Sequence, residues 1–291
     1  MNGTLTGETR VVGVFGYPVH HSLSPAMHNA ALQDLGLDFI YVPFSVQPEN
    51  LEYAVRGIRA LDIVGVNVTI PHKREVMAFL DWISDDALRI GSVNTIWNDK
   101  GTLRGYSTDG EGLVRALESA GKSAAGSKAV VLGAGGSARA IAYALASRDA
   151  EVTVANRTYA RAVELADSLN AVGSYAPIRP VALEGLDAEK AIQSADLLVN
   201  CTSVGMHPNE DAQPIPSDWL HERLFVYDQI YNPLETQLLR AAKAAGARTA
   251  NGVGMLVYQG VRGFQLWTGQ TPSTSVMEEA VLRGLGNNPP E

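Results

Sequence analysis

The stretch that most limits the fold is residues 128–140, KAVVLGAGGSARA. A β-branched apolar run opens without a spacer into glycines and then into small helix formers. Gly133, Gly135 and Ala138 fall in the G-x-G-x-x-A spacing of a strand–turn–helix unit that receives a dinucleotide pyrophosphate. Each small residue has its own job. Gly133 allows the tight turn, Gly135 lets the backbone approach a phosphate, and Ala138 lets helix pack on strand. Ala134, Gly136 and Ser137 complete the loop, and the helix that follows offers unpaired N–H groups to an anion. The stretch therefore predicts a Rossmann-like domain built on a parallel sheet.

The next strand decides which dinucleotide fits. A cofactor with a free ribose 2′-hydroxyl wants a carboxylate about 20 residues on. Here the strand EVTVA ends instead in Asn156, Arg157 and Thr158, with Arg161 one helical turn further. Guanidinium groups form planar, charge-assisted pairs with phosphate. Two of them at a helix start, where cations oppose the helix dipole, need an anion to justify them. The spacing predicts a 2′-phosphate site, hence NADP.

The 291 residues exceed what one small core accommodates, and the segment before residue 110 has its own strand–helix rhythm. VVGVFG (11–16), FIYVPFSV and IVGVNVTI read as strands, with helices between them. The first helix is expected to begin with Ser24 as N-cap and Pro25 at its first position, and to stop at Gly36. Two extended runs around NDKG (98–101) predict a hairpin. The fold class is α/β in two domains: an N-terminal substrate domain with a mainly parallel sheet over 1–109, and the Rossmann-like domain over 110–252. The tail NNPPE is expected to fray.

A net charge of −8 and a pI near 5.3 argue against nucleic acid or an anionic membrane as partner. An anionic ligand must then be held by a local cluster. MNGTLTGETR lacks a basic start followed by an apolar core, so no secretory leader and a cytoplasmic protein are expected. The single Cys201, in LLVNCTS, reads as a packed strand thiol. The six histidines show no ligand spacing, and no metal is expected.

In the N-terminal part, polar residues gather at strand ends: Ser22 and Ser24 in HSLSP, Thr69 and Lys73 in NVTIPHK, Asn94 in GSVNT, and Asp109 in STDG. Ligands of open α/β sheets bind beyond the carboxyl ends of the strands. Short neutral donors with one lysine and one acid suit a small polyhydroxylated acid, with Lys73 and Asp109 handling a proton. His72 is a rival base, but a neighbour in an extended turn points away from the direction of Lys73.

HSLSPAMHNAAL, GVNVTIPHK, GSVNT, STDGEG, GAGGSARA, ANRTYARA, NCTSVGM, YNPLETQLL and NGVGMLVYQG, in this order from about residue 11 to 270, resemble the shikimate dehydrogenase family. The resemblance implies a substrate domain completed by C-terminal helices over 253–291, and reversible NADP-dependent reduction of 3-dehydroshikimate to shikimate. It implies Lys73 and Asp109 as the catalytic pair, and Ser22, Ser24, Thr69, Asn94, Tyr231 and Gln259 beside them at the substrate. It supports Gly133–Ala138 and Asn156, Arg157, Thr158 and Arg161 at NADP, and adds Thr202, Ser203, Met206, Ile230, Gly252 and Met255. Domain closure over a cleft is expected to exclude water. The family often carries Asn before TDG, where this chain has Ser107. Partners are the small-molecule substrate alone, in a monomer or homodimer. Rival readings are a dual-specificity quinate/shikimate dehydrogenase and a non-catalytic NADP sensor.

Overall fold

The computed structural model describes residues 5–173 and 175–286; the NNPPE tail lies outside them. The chain divides into two compact units. One holds the residues up to Thr108 and from Val257 onward, and the other runs from Asp109 to Leu256.

The first unit contains β1 (Arg10–Gly16), β2 (Phe39–Ser45), β3 (Gly65–Val68), β4 (Trp82–Ile83), β5 (Thr95–Asp99) and β6 (Thr102–Tyr106). They form one sheet in the order β2-β1-β3-β5-β6-β4. β1 pairs in parallel with β2 and β3, and β4 with β6; β3/β5 and β5/β6 are antiparallel. GVNV of β3 is buried along its whole length, as expected of a central strand covered on both faces. Phe15, Val66, Val68, Ile96 and Leu103 of the strands pack with Val55 and Ile58 of the helix Leu51–Ala60. The predicted hairpin is β5–β6. Lys100 and Gly101 take φ values of 51° and 91°, the left-handed pair that matches strand twist in a two-residue turn.

The helix Ser24–Asp34 corrects one expectation. Leu23 is its N-cap, no side chain caps it, and Ser24 and Pro25 are its first two residues. Pro25 has no N–H to satisfy, so the helix start has less for a cap to do. Ser24 is buried and hydrogen-bonds the Tyr41 hydroxyl. The C-terminal helix Thr274–Gly286 lies against Ser24–Asp34, and Trp267 donates its indole N–H to the Ile96 carbonyl at 2.9 Å.

The second unit contains β7 (Lys128–Leu132), β8 (Glu151–Asn156), β9 (Arg179–Ala182), β10 (Leu197–Asn200), β11 (Phe225–Asp228) and β12 (Arg248–Ala250). Every pairing is parallel, in the order β9-β8-β7-β10-β11-β12. The chain moves outward from β7 to β9, returns to the centre at β10, and continues the other way. That reversal makes β7/β10 the switch point, where such sheets receive ligands. Apolar burial fills the core on one side with Val130, Leu132, Leu198, Val226 and Leu238. Among the described residues no helix is long and apolar enough to cross a membrane.

Candidate active site

In the first unit a buried polar network runs through the strand ends. Ser24 bonds Tyr41, whose hydroxyl donates to Asn67 Oδ1 at 2.8 Å. Asn67 Nδ2 donates to the Thr95 hydroxyl at 3.1 Å and to the Asn94 carbonyl at 3.3 Å. The Asn94 amide donates to Thr108 Oγ1 at 2.9 Å and to Gln259 Oε1 at 3.3 Å, and accepts the Thr108 N–H at 2.7 Å. Burial raises the Tyr41 hydroxyl well above the usual phenol range, and the Ser24 hydrogen bond opposes this. Ser24, Asn94 and Gln259 are thus brought together. Ser22 is half-buried in the turn before the helix, and its hydroxyl accepts the Ser24 N–H at 3.3 Å.

Thr69 and Lys73 follow β3 and are half-buried. The Thr69 N–H continues the strand ladder to Phe15 O at 2.9 Å, and its carbonyl accepts the His72 N–H at 3.0 Å. The Lys73 carbonyl accepts the Val93 N–H at 2.8 Å, which fixes the lysine backbone beside the segment carrying Asn94. His72 is buried, with Nε2 2.7 Å from the Val46 carbonyl. That contact commits the imidazole to the backbone. Asp109 is buried and opens the helix Asp109–Ser119 of the second unit, directly after Thr108.

In the second unit the glycine turn stands at the switch point. Gly133 has φ 105°, and a Cβ there would sit 3.3 Å from both the Cys201 carbonyl oxygen and Thr202 Cγ2. Gly135 is the N-cap of the helix Gly136–Ala146, which has no side-chain cap and no acid in its first turn. A Cβ on exposed Gly135 would meet nothing within 4 Å, leaving open space over the helix N-terminus. Ala134, Gly136 and Ser137 are half-buried, and Ala138 is fully buried against the sheet. Ser137 donates to Gln229 Oε1 at 3.1 Å. This cradle fits a pyrophosphate.

At the end of β8, Asn156 donates from Nδ2 to the Thr158 carbonyl at 2.8 Å, closing the turn. Thr158 is the N-cap of the helix Tyr159–Asn170 without a side-chain cap bond. Arg157, Thr158 and Arg161 are exposed, and no acid lies in the helix's first turn. The donor set fits a phosphate.

The far side of the switch point carries the remaining residues. Thr202 is half-buried after β10, and both its N–H and its hydroxyl donate to Asn200 Oδ1, at 3.0 and 2.7 Å. Ser203 is exposed, and its carbonyl accepts the Met206 N–H at 3.2 Å. Ile230 is buried and Tyr231 half-buried after β11. The Gly252 N–H donates to the Ile230 carbonyl at 3.0 Å, and a Cβ on Gly252 would overlap the Gln229 carbonyl. Met255 N–H donates to the Tyr227 hydroxyl at 3.0 Å, and its sulfur accepts from Gln229 Nε2 at 3.4 Å.

Sequence reasoning passed over Tyr41, Asn67 and Thr108 in the first unit and Asn200, Asp228 and Thr236 in the second. Asn67 left a signal, since a lone amide inside IVGVNVTI is out of place in a buried strand unless paired. Among the described residues no group of three His, Cys, Asp or Glu side chains is placed to hold a metal ion.

A parallel sheet with a glycine turn at its switch point, joined in one chain to an α/β unit with a buried polar network, defines a Rossmann-type dinucleotide-dependent oxidoreductase fold. Residues 14–96 match the family model for the shikimate dehydrogenase substrate binding domain, 115–210 that for shikimate / quinate 5-dehydrogenase, and 252–282 that for the shikimate 5′-dehydrogenase C-terminal domain. The chain is 51% identical to a shikimate dehydrogenase (NADP(+)) of Methanopyrus kandleri, over 97% of this chain and 98% of that one. A crystal structure of a shikimate dehydrogenase with NADP+ superposes with TM-score 0.92 at 43% identity, covering 97% of this chain and 98% of that one. The Thermus thermophilus enzyme with NADP(H) and shikimate gives TM-score 0.86 at 42% identity, covering 95% of this chain and all of the other. The chain belongs to the shikimate dehydrogenase family.

Proposed function

We propose that this protein catalyses the reversible NADP-dependent reduction of 3-dehydroshikimate to shikimate. The observation that carries the reading is the family membership joined to an intact set of polar groups at both strand-end sites. Ser22, Ser24, Thr69, Asn94, Gln259 and Tyr231 take the substrate hydroxyls and carboxylate. The buried hydrogen bonds of Asn94 to Thr108 and Gln259 hold the Asn94 and Gln259 amides in one geometry before substrate arrives, so less ordering of those two is needed on binding.

Bound NADP supplies or accepts the hydride. Gly133–Ala138 and the helix N-terminus receive its pyrophosphate. Asn156, Arg157, Thr158 and Arg161 hold the 2′-phosphate. Thr202, Ser203, Met206, Ile230, Gly252 and Met255 line the nicotinamide end. Lys73 donates a proton to the substrate oxygen as the carbonyl is reduced, and accepts it back in the oxidative direction. Asp109 orients the Lys73 ammonium and accepts a hydrogen bond from the substrate hydroxyl. The test is NADPH formation from shikimate, run in parallel with quinate and with NAD. Turnover confined to shikimate and NADP supports the reading. Equal rates with quinate or NAD replace it with the dual-specificity enzyme, and NADP binding without turnover of either acid replaces it with a sensor.

A further inference from the structure

Asp228 closes β11 with a fully buried carboxylate, and the proposed chemistry makes no use of it. Its Oδ1 accepts from Asn200 Nδ2 at 3.0 Å and from the Ile230 N–H at 3.1 Å, and its Oδ2 accepts from the Thr236 hydroxyl at 2.7 Å. Asn200 and Thr236 are themselves fully buried. Asn200 turns its own oxygen outward to Thr202, binding both its N–H and its hydroxyl. Thr202 Oγ1 in turn accepts the Val204 N–H at 3.2 Å. On the other branch, the Ile230 carbonyl receives Gly252. One carboxylate therefore ties down the loop after β10, the loop after β11 and the start of the helix Val253–Thr268. These segments carry the residues assigned above to the nicotinamide end.

We infer that Asp228 is a positioning residue that presets the nicotinamide end of the cofactor site through Asn200 and Ile230. The inference rests on the proposed NADP site. Its geometry has a titratable handle: burial pushes the Asp228 carboxyl up to about 6, against the opposing hydrogen bonds from Thr236, Ile230 and Asn200. The Tyr227 hydroxyl on its own strand is the titratable group coupled to it, and among the described residues no Lys, Arg or His contributes to its shift. Protonation at Oδ2 reverses the Thr236 hydrogen bond and removes the charge behind the two bonds that Oδ1 accepts from Asn200 and Ile230, so the anchor shared by the two loops weakens.

The experiment measures binding of NADPH and of 2′-phosphoadenosine 5′-diphosphoribose to the whole enzyme from about pH 5 to 8, for wild type and Asp228→Asn. The diphosphoribose carries the same 2′-phosphate and pyrophosphate but no nicotinamide, so phosphate titration cancels and the ratio of the affinities reports the nicotinamide end. The ratio is expected to fall in wild type as pH drops through 6. In Asp228→Asn it is expected to be about tenfold lower at neutral pH and flat across the range. A ratio unchanged by the substitution, or equal loss of both ligands, overturns the inference. Should the variant not fold, a flat wild-type ratio overturns it and a falling one supports it. Failure of wild type to bind either ligand sinks the NADP reading itself, which separates the two claims.

Discussion

His28 and Tyr41 stack with ring centroids 4.3 Å apart and planes 2° from parallel. The imidazole is fully buried, is also stacked near Phe264, and among the described residues has no hydrogen-bond partner on either ring nitrogen. An unpaired polar ring is tolerated here because it is neutral: burial lowers its pKa to about 3 from 6.5. The stack fixes the ring plane of Tyr41, whose hydroxyl joins Ser24 to Asn67.

The pH dependence of folding follows from that burial. Between pH 6.5 and about 3 the unfolded chain binds a proton on His28 that the folded chain refuses. The stability contributed is therefore full above 6.5 and lost as pH falls towards 3. Going from neutral to about pH 5 should cost roughly 2 kcal/mol from this residue. Urea unfolding of wild type and His28→Leu at both pH values checks it, and equal pH slopes for the two proteins would refute it.

Lys73→Ala is expected to lower kcat by about 10²- to 10⁴-fold, the usual contribution of a positioned proton donor. The KM for shikimate should change far less. A variant that loses shikimate binding and keeps kcat would make Lys73 a binding residue only.

Replacing Arg157 and Arg161 together with alanine should raise the KM for NADP by about tenfold or more and leave turnover with NAD unaffected. Rates with the two cofactors, measured at fixed ionic strength, give the preference. An unchanged NADP/NAD ratio would mean that the two guanidinium groups face only water.

Gly252→Ala places a methyl group on the Gln229 carbonyl, so backbone must move. A loss of about 1–3 kcal/mol in thermal or chemical unfolding is expected. Because Gly252 also holds Ile230, the KM for NADP should rise with it.

Much of this arrangement is legible in the sequence where local chemistry and fold agree. KAVVLGAGGSARA reads correctly because its glycines are needed by the turn itself, and NDKG reads as a hairpin because its last two residues, Lys100 and Gly101, supply the left-handed turn. Ser24 misled because serine before proline is the common helix start, whereas here the hydroxyl is used by Tyr41, 17 positions away along a different element. Tyr41, Asn67 and Asp228 were passed over for a related reason. Inside a strand, a polar residue and a core residue occupy the same alternating pattern, and only a partner distant in sequence distinguishes them. Asn94 and Gln259 meet across 165 positions, a pairing no local spacing encodes.

The first unit is assembled from both ends of the chain, with the whole second unit interposed. During synthesis β1 to β6 emerge early, yet Trp267 for Ile96 and the helix Thr274–Gly286 for Ser24–Asp34 arrive only with the last residues. At ordinary elongation rates the delay is on the order of ten seconds. Residues 109–256 come off the ribosome as one uninterrupted segment and have no such wait. The sheet made first is the one finished last, and until then its apolar surface is a natural client for a chaperone.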